Sequence, residues 1–210
     1  MSKDTPLRPT LQHVGLTTVN IDAMIEWYAN VLGMTINHRS IAVPGSNNAA
    51  PQSVAMLSND AVNHRIALYE SANIITDPDK SRRAGLQHVA FAYETLDDLL
   101  ETYARLRRVG ILPALAVDQG VQTAFYYGDP ERNVVELNAC NYDDEQAATE
   151  RLRTSPPMHA YVVDPEKMID ARKAGLSNWE LHALAVAGDL APDTDRKRSA
   201  HAKASGPEGA

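Results

Sequence analysis

Apolar residues in this chain recur with two different periods, and the periods follow one another in the same order twice. Residues 11–19 alternate like a half-buried strand, with Leu11 and His13 on one face and Val14 and Leu16 on the other. Ile21, Met24, Ile25, Tyr28, Val31 and Leu32 then return at helical spacing, behind Asn20 as N-cap and ahead of Gly33 as a left-handed stop. Strand-like stretches follow at about 34–43, 52–57 and 63–70, separated by the turns Pro44-Gly45-Ser46-Asn47-Asn48 and Ser58-Asn59-Asp60.

The second passage begins where Leu11-Gln12-His13-Val14 recurs as Leu86-Gln87-His88-Val89. Residues 86–93 read as a strand, and Thr95 with Asp98 resembles a capping box. Leu96, Leu99, Leu100, Tyr103, Leu106 and Val109 form the helical stripe before Gly110. Strands at about 112–117, 121–127 and 133–139 complete the copy, with Asp118-Gln119-Gly120 and Gly128-Asp129-Pro130 as turns. The expectation is an α+β fold: two tandem βαβββ modules, about 10–70 and 85–140, joined by a polar connector at 74–84 and forming a curved mixed sheet.

Residues 143–187 change character. Helical composition at 143–153, 165–175 and 178–187, broken by Ser155-Pro156-Pro157 and Gly175-Leu176-Ser177, predicts a helical extension packed on the paired modules of residues 1–142. From 188 to 210 the only large apolar residue is Leu190, so burial there does not offset the entropy of ordering, and a disordered tail is expected. Its basic run at 195–203 reads as solvated charge.

Composition narrows the partners. The 210 residues carry 20 Lys and Arg against 27 Asp and Glu, a formal charge of -7, which disfavours nucleic acid. A single cysteine, Cys140, excludes an internal disulfide framework and a Cys-rich zinc site, and it suits the cytoplasm. No stretch is apolar enough to suggest a membrane span or a secretory signal, so no membrane partner is expected. The G-x-G-x-x-G, P-loop, G-x-S-x-G and H-E-x-x-H signatures are missing, which removes the commonest nucleotide, hydrolase and zincin readings.

What remains is His13 and His88 at corresponding points of the repeat, and Glu136 in the last strand. Alternation places Glu136 on the face opposite Val135 and Leu137, where a carboxylate is costly unless solvated, paired or bound to a cation. Taken singly, each of the three reads as an ordinary core, cleft or surface residue. Together, if the repeats are related by an approximate two-fold axis, they would form a 2-His-1-carboxylate set in a metal cleft, the ligand pattern of non-haem Fe(II) oxygenases. Mn(II), Ni(II) and Zn(II) take similar ligands.

The doubled βαβββ pattern resembles the vicinal oxygen chelate superfamily, and within it the small one-domain extradiol dioxygenases. The resemblance covers about residues 11–142. It rests on the two Leu-Gln-His-Val strands, on His64-Arg65-Ile66-Ala67-Leu68, and on Phe125-Tyr126-Tyr127-Gly128-Asp129-Pro130 followed by Asn133-Val134-Val135-Glu136-Leu137. It implies that His13, His88 and Glu136 hold Fe(II) or Mn(II), that His64 moves protons as the catalytic acid-base, and that Tyr126 donates a hydrogen bond to the bound substrate oxygen. The implied substrates are a catecholic aromatic diol and O2, and the implied reaction is extradiol ring cleavage. Two positions depart from the family pattern. Gln119 stands in a turn where relatives place a histidine, and Arg132 stands where glycine is usual, so Arg132 takes a glycine-like conformation or the turn differs. A glyoxalase-like isomerase or epimerase is the second expectation, but it needs a fourth ligand from residues 63–69, where Ala67 or a neighbour stands instead. A metal-free binding or resistance protein is the third. Edge strands and the C-terminal helices are compatible with a homo-oligomer.

Overall fold

Asn20 and Thr95 open the two repeats' helices as their sequences predict. The Asn20 side chain accepts from the Ala23 amide, and the Thr95 side chain accepts from the Asp98 amide. The computed structural model describes residues 7–41, 53–71, 73–77, 79–154 and 159–193. The turn at Pro44-Gly45-Ser46-Asn47-Asn48, the break at Ser155-Pro156-Pro157 and the expected tail from 194 onward lie outside the described residues.

In the first repeat β1 (Val14–Thr18), α1 (Ile21–Leu32), β2 (Thr35–Ile41), β3 (Ser53–Ser58) and β4 (Ile66–Glu70) follow in order, and the sheet runs β1-β4-β3-β2. In the second, β5 (Val89–Tyr93), α2 (Leu96–Arg108), β6 (Leu115–Asp118), β7 (Gln122–Gly128) and β8 (Val134–Cys140) form the corresponding sheet. A short strand that the sequence does not announce, β9 (Tyr161–Val162), is added beside β6, giving the order β5-β8-β7-β6-β9. In each sheet the first strand of the repeat lies parallel to the last, and the other pairs within the repeat are antiparallel. The predicted α+β architecture of tandem βαβββ modules is therefore the observed one. Among the described residues no helix is long and apolar enough to cross a membrane.

Helices cover one face of each sheet. Ile21, Met24, Tyr28, Val31 and Leu32 of α1 are buried with Leu16, Ala55, Leu57, Ile66 and Leu68 of the strands. Leu96, Leu99, Leu100, Tyr103 and Leu106 of α2 are buried with Phe125, Tyr127, Val135, Leu137 and Ala139. Val109, counted in that stripe from sequence, lies one residue past the helix as its C-cap and is exposed. The extension supplies α3 (Glu145–Thr154), α4 (Pro165–Lys173) and α5 (Asn178–Ala187); α4 packs on α2 and α5 on β9. Residues 188–193 of the expected tail are placed, with Leu190 buried and its carbonyl accepting from the Asp164 amide.

The chain divides into two compact units, Met1–Arg83 with Asp129–Arg132, and Ala84–Gly128 with Asn133–Ala210. The four-residue turn between β7 and β8 thus belongs to the first unit. There the Glu131 carboxylate accepts from the Thr18 hydroxyl at 2.7 Å and the Val19 amide at 2.8 Å. The Tyr28 hydroxyl donates to the Asp129 carboxylate at 3.2 Å. Burial, reinforced by the Asp129 charge, holds the Tyr28 phenol far above its ordinary range. Arg132 adopts φ 60, the left-handed conformation anticipated for a side chain in a glycine position, and its guanidinium donates to the Asp77 carbonyl at 2.6 Å. Tyr28→Phe removes one hydrogen bond to a buried carboxylate while keeping the ring. It should lower unfolding stability by about 1–2 kcal/mol, read as a reduced urea midpoint at constant slope.

Candidate functional site

Strand β8 presents Val135, Leu137 and Ala139 to the helix-covered face, which puts Glu136 and Asn138 on the other. Glu136 is nevertheless only 2% exposed, so the alternative of a surface charge is overturned. Neighbouring side chains replace water around it. Its Oε1 accepts from Gln122 Nε2 at 2.8 Å and from Asn138 Nδ2 at 2.8 Å, and its Oε2 lies 2.9 Å from His88 Nε2. The register explains the convergence: Glu136 is paired with Ala90 on β5 and Tyr126 on β7, and Asn138 is two residues along the same face.

Tyr126, directly across from Glu136, completes this group. Its ring meets that of His88 edge-on, with centroids 5.7 Å apart. Partial burial, and after it the Glu136 charge and a hydrogen bond to Glu136, hold the Tyr126 phenol above its ordinary range. Gln119 Nε2 donates to the Tyr126 hydroxyl at 3.4 Å and acts in the opposite direction. Tyr127 points to the other face and is buried in the core, the packing role that alternation gives one of the two tyrosines.

His13 and His88 stand just ahead of β1 and β5, a correction to the expectation that they lie within the strands. The ladders begin only where the last strand of each repeat supplies a partner, at Val14 opposite Ile66 and Val89 opposite Val135. Leu11 and Leu86, read as strand residues, are 77% and 68% exposed for the same reason. Each histidine is oriented instead by the glutamine before it. Nδ1 of His13 bonds to Gln12 Oε1, and Nδ1 of His88 bonds to Gln87 Oε1. Gln12 is itself anchored, its Nε2 donating to Asn63 Oδ1 at 2.7 Å and to the His64 carbonyl at 3.4 Å. With Nδ1 occupied as donor, Nε2 is the nitrogen left to face a ligand. Neither glutamine was singled out from sequence. The signal was present, because both copies of the repeated tetrapeptide contain it.

Two pairs of predicted residues are brought together, one in each unit. His88 and Glu136 face each other beside Tyr126, while the rings of His13 and His64 lie 4.3 Å apart, tilted by 41°. Among the described residues no three His, Cys, Asp or Glu side chains gather to hold a metal. The His88–Glu136 pair by itself suits a divalent cation. An imidazole nitrogen and a buried carboxylate oxygen facing each other require a positive charge between them, a proton or a metal ion. Adjacent ligands at roughly 2.1 Å from one ion are about 3 Å apart, close to the 2.9 Å found here. In the first repeat, register places Ala67 opposite Gly15 as Glu136 is placed opposite Ala90. The point equivalent to Glu136 therefore carries a methyl group, and the first repeat supplies no carboxylate there.

The tandem βαβββ sheets, with the carboxylate on the last strand of the second, define the class of protein. The chain belongs to the Glyoxalase/Bleomycin resistance protein/Dioxygenase superfamily, whose family model matches residues 10–137. It is 32% identical to biphenyl-2,3-diol 1,2-dioxygenase 3 of Rhodococcus globerulus over 186 residues, covering 85% of this chain and 90% of that protein. It is also 32% identical to biphenyl-2,3-diol 1,2-dioxygenase 2 of the same organism over 141 residues, covering 67% of this chain and 68% of that protein. Among solved structures, a glyoxylase/bleomycin resistance protein/dioxygenase domain from Frankia sp. EAN1pec superposes with a TM-score of 0.52 at 20% identity, covering 64% of this chain and 93% of that one. This last likeness bears on the fold.

The Gln87 carboxamide gives a direct test of the cation reading. Gln87→Leu should weaken Mn(II) affinity by about tenfold, measured by titrating the metal into metal-free protein, because His88 loses the acceptor that orients its ring. An unchanged affinity would show that the ring is held by other contacts.

Proposed function

We propose that this chain is a metal-dependent extradiol dioxygenase that opens a catecholic ring with O2, its metal held by His13, His88 and Glu136. The observation that carries the reading is the buried Glu136 carboxylate facing His88 Nε2, with Tyr126 across the strand. The two biphenyl-diol dioxygenases at 32% identity support the reaction class and a vicinal aromatic diol as substrate. Ala67 at the repeat equivalent of Glu136 leaves the first repeat without the fourth ligand that a glyoxalase-like isomerase would require.

Fe(II), or Mn(II) in its place, supplies when bound a Lewis acid for the diol oxygens and a redox partner for O2. The rest of the work falls to side chains. Gln12 and Gln87 hold the imidazoles by Nδ1, so that each Nε2 would be the atom offered to the metal. Gln122 and Asn138 satisfy Glu136 Oε1, so that Oε2 would be the oxygen offered to the metal. His64, its ring 4.3 Å from that of His13 and tilted to it, would take a proton from the diol hydroxyl on a ring nitrogen and return it later in the reaction. The Tyr126 hydroxyl would donate to the substrate oxygen on which negative charge grows.

Anaerobic loading with Fe(II), followed by oxygen-uptake and visible-absorbance assays on catechol, 3-methylcatechol and 2,3-dihydroxybiphenyl, tests the proposal. The expected result is oxygen consumption with a yellow ring-opened product, abolished by a chelator. His64→Phe should keep its metal and lose about 10²–10⁴ in kcat, whereas Glu136→Ala should lose metal and activity together. Metal-loaded protein that consumes no oxygen with any of the three diols would sink the assignment.

A further inference from the structure

A second buried carboxylate in the same unit lies outside the candidate site, yet it shapes the loop that serves it. Asp118, the last residue of β6, is 1% exposed. Its Oδ1 accepts from the Gly120 amide at 2.9 Å and lies 2.6 Å from Nδ1 of His182 on α5. Its Oδ2 accepts from Asn141 Nδ2 at 3.1 Å and from the Thr123 hydroxyl at 3.4 Å. Asn141 Nδ2 also donates to the Gly120 carbonyl at 3.3 Å. The turn between β6 and β7 is therefore gripped from β7, from the residue after β8 and from the C-terminal extension. Gly120 has φ +81, a conformation that favours glycine, and a Cβ there would meet His182 Cε1 at 3.5 Å, so the imidazole lies against the turn itself.

Gln119 stands between these two anchored residues. Its backbone amide donates to the Gln122 carbonyl at 2.9 Å. Its Nε2 donates to the Tyr126 hydroxyl at 3.4 Å, and its Oε1 accepts at 3.1 Å from Gln122 Nε2, which also donates to Glu136. One continuous set of contacts runs from α5 through the turn to the tyrosine and the carboxylate. We propose that His182 is a positioning residue for the candidate site: by holding Asp118 it fixes the turn that sets Gln119 against Tyr126 and Gln122. Trp179 and Tyr161 meet the His182 ring edge-on, with centroids at 5.6 and 6.1 Å, and keep it in place. The extension thus contributes to the site without touching substrate. The kinetic consequence, though not the positioning itself, rests on the dioxygenase reading.

The test uses the full chain labelled with 3-fluorotyrosine and free of metal, with the Tyr126 fluorine resonance assigned from Tyr126→Phe. His182→Ala and Gln119→Ala should both move that resonance, in the same direction. His182→Asn, whose amide can replace the Nδ1 donor, should leave it at the wild-type position. A Tyr126 signal unmoved by His182→Ala overturns the proposal, and His182→Phe, which keeps ring volume without the donor, serves if the alanine variant does not fold. In Fe(II)-loaded protein turning over catechol, His182→Ala should lower kcat by about tenfold with KM changed by less than about twofold. Adding Gln119→Ala to it should cost little more, because both changes break one chain of contacts. Fully additive losses overturn the proposal. A wild-type protein that opens no diol defeats the dioxygenase reading alone, and the fluorine signal then decides the role of His182.

Discussion

A carboxylate removed from water must be given back the hydrogen bonds and the positive charge it has lost, and Glu136 imposes that demand on the whole second repeat. Two carboxamides answer for one oxygen and an imidazole for the other. Those partners come from β7, from β8 itself and from the segment leading into β5, so the demand is met only when the parallel β5–β8 pair and the antiparallel β7–β8 pair are in register together. A slip of one residue on either strand would carry the donors to the opposite face. The site and the sheet are therefore specified by the same contacts.

The duplicated architecture divides labour between the copies. Each repeat begins with a glutamine-oriented histidine, and each closes its sheet by laying the last strand beside the first. At the matching register the first copy has Ala67 and the second has Glu136. The carboxylate belongs to one copy alone, while the first contributes the His13 and His64 ring pair. Within the second unit the same logic appears twice: Asp118, like Glu136, is buried and fully furnished with donors, but its partners tie together a turn and a helix.

Much of this architecture was legible in the order of the residues because the repeat was written in local signals. Asn20 and Gly33 bounded α1, Thr95 opened α2, and the alternation through Val135, Glu136 and Leu137 separated the two faces of β8. Where local signals gave out, reading failed in particular ways. Leu11 and Leu86 look like strand residues, but a strand exists only where another strand pairs with it, and none reaches them. β9 is two residues long and owes its place to β6, a partner more than forty residues earlier. The left-handed φ of Arg132 is legible only through the family resemblance, in which glycine is usual at that point of the turn. Gln12 and Gln87 are marked by the repeated tetrapeptide, whereas Gln122 stands in no pattern and its importance lies in the carboxylate opposite it. His182 was beyond reach for the same reason, since 64 residues separate it from Asp118.

The turn of Asp129–Arg132 closes the β7–β8 hairpin in sequence yet is counted with the first unit in space. Glu131 joins the end of β1 there, and Asp129 receives the hydroxyl of a tyrosine from α1. The two halves are consequently not interchangeable cassettes. Severing the connector near residue 80 would still leave the second repeat's sequence carrying a turn whose hydrogen bonds are made in the first unit, so neither repeat cut out by sequence would be a complete folding unit.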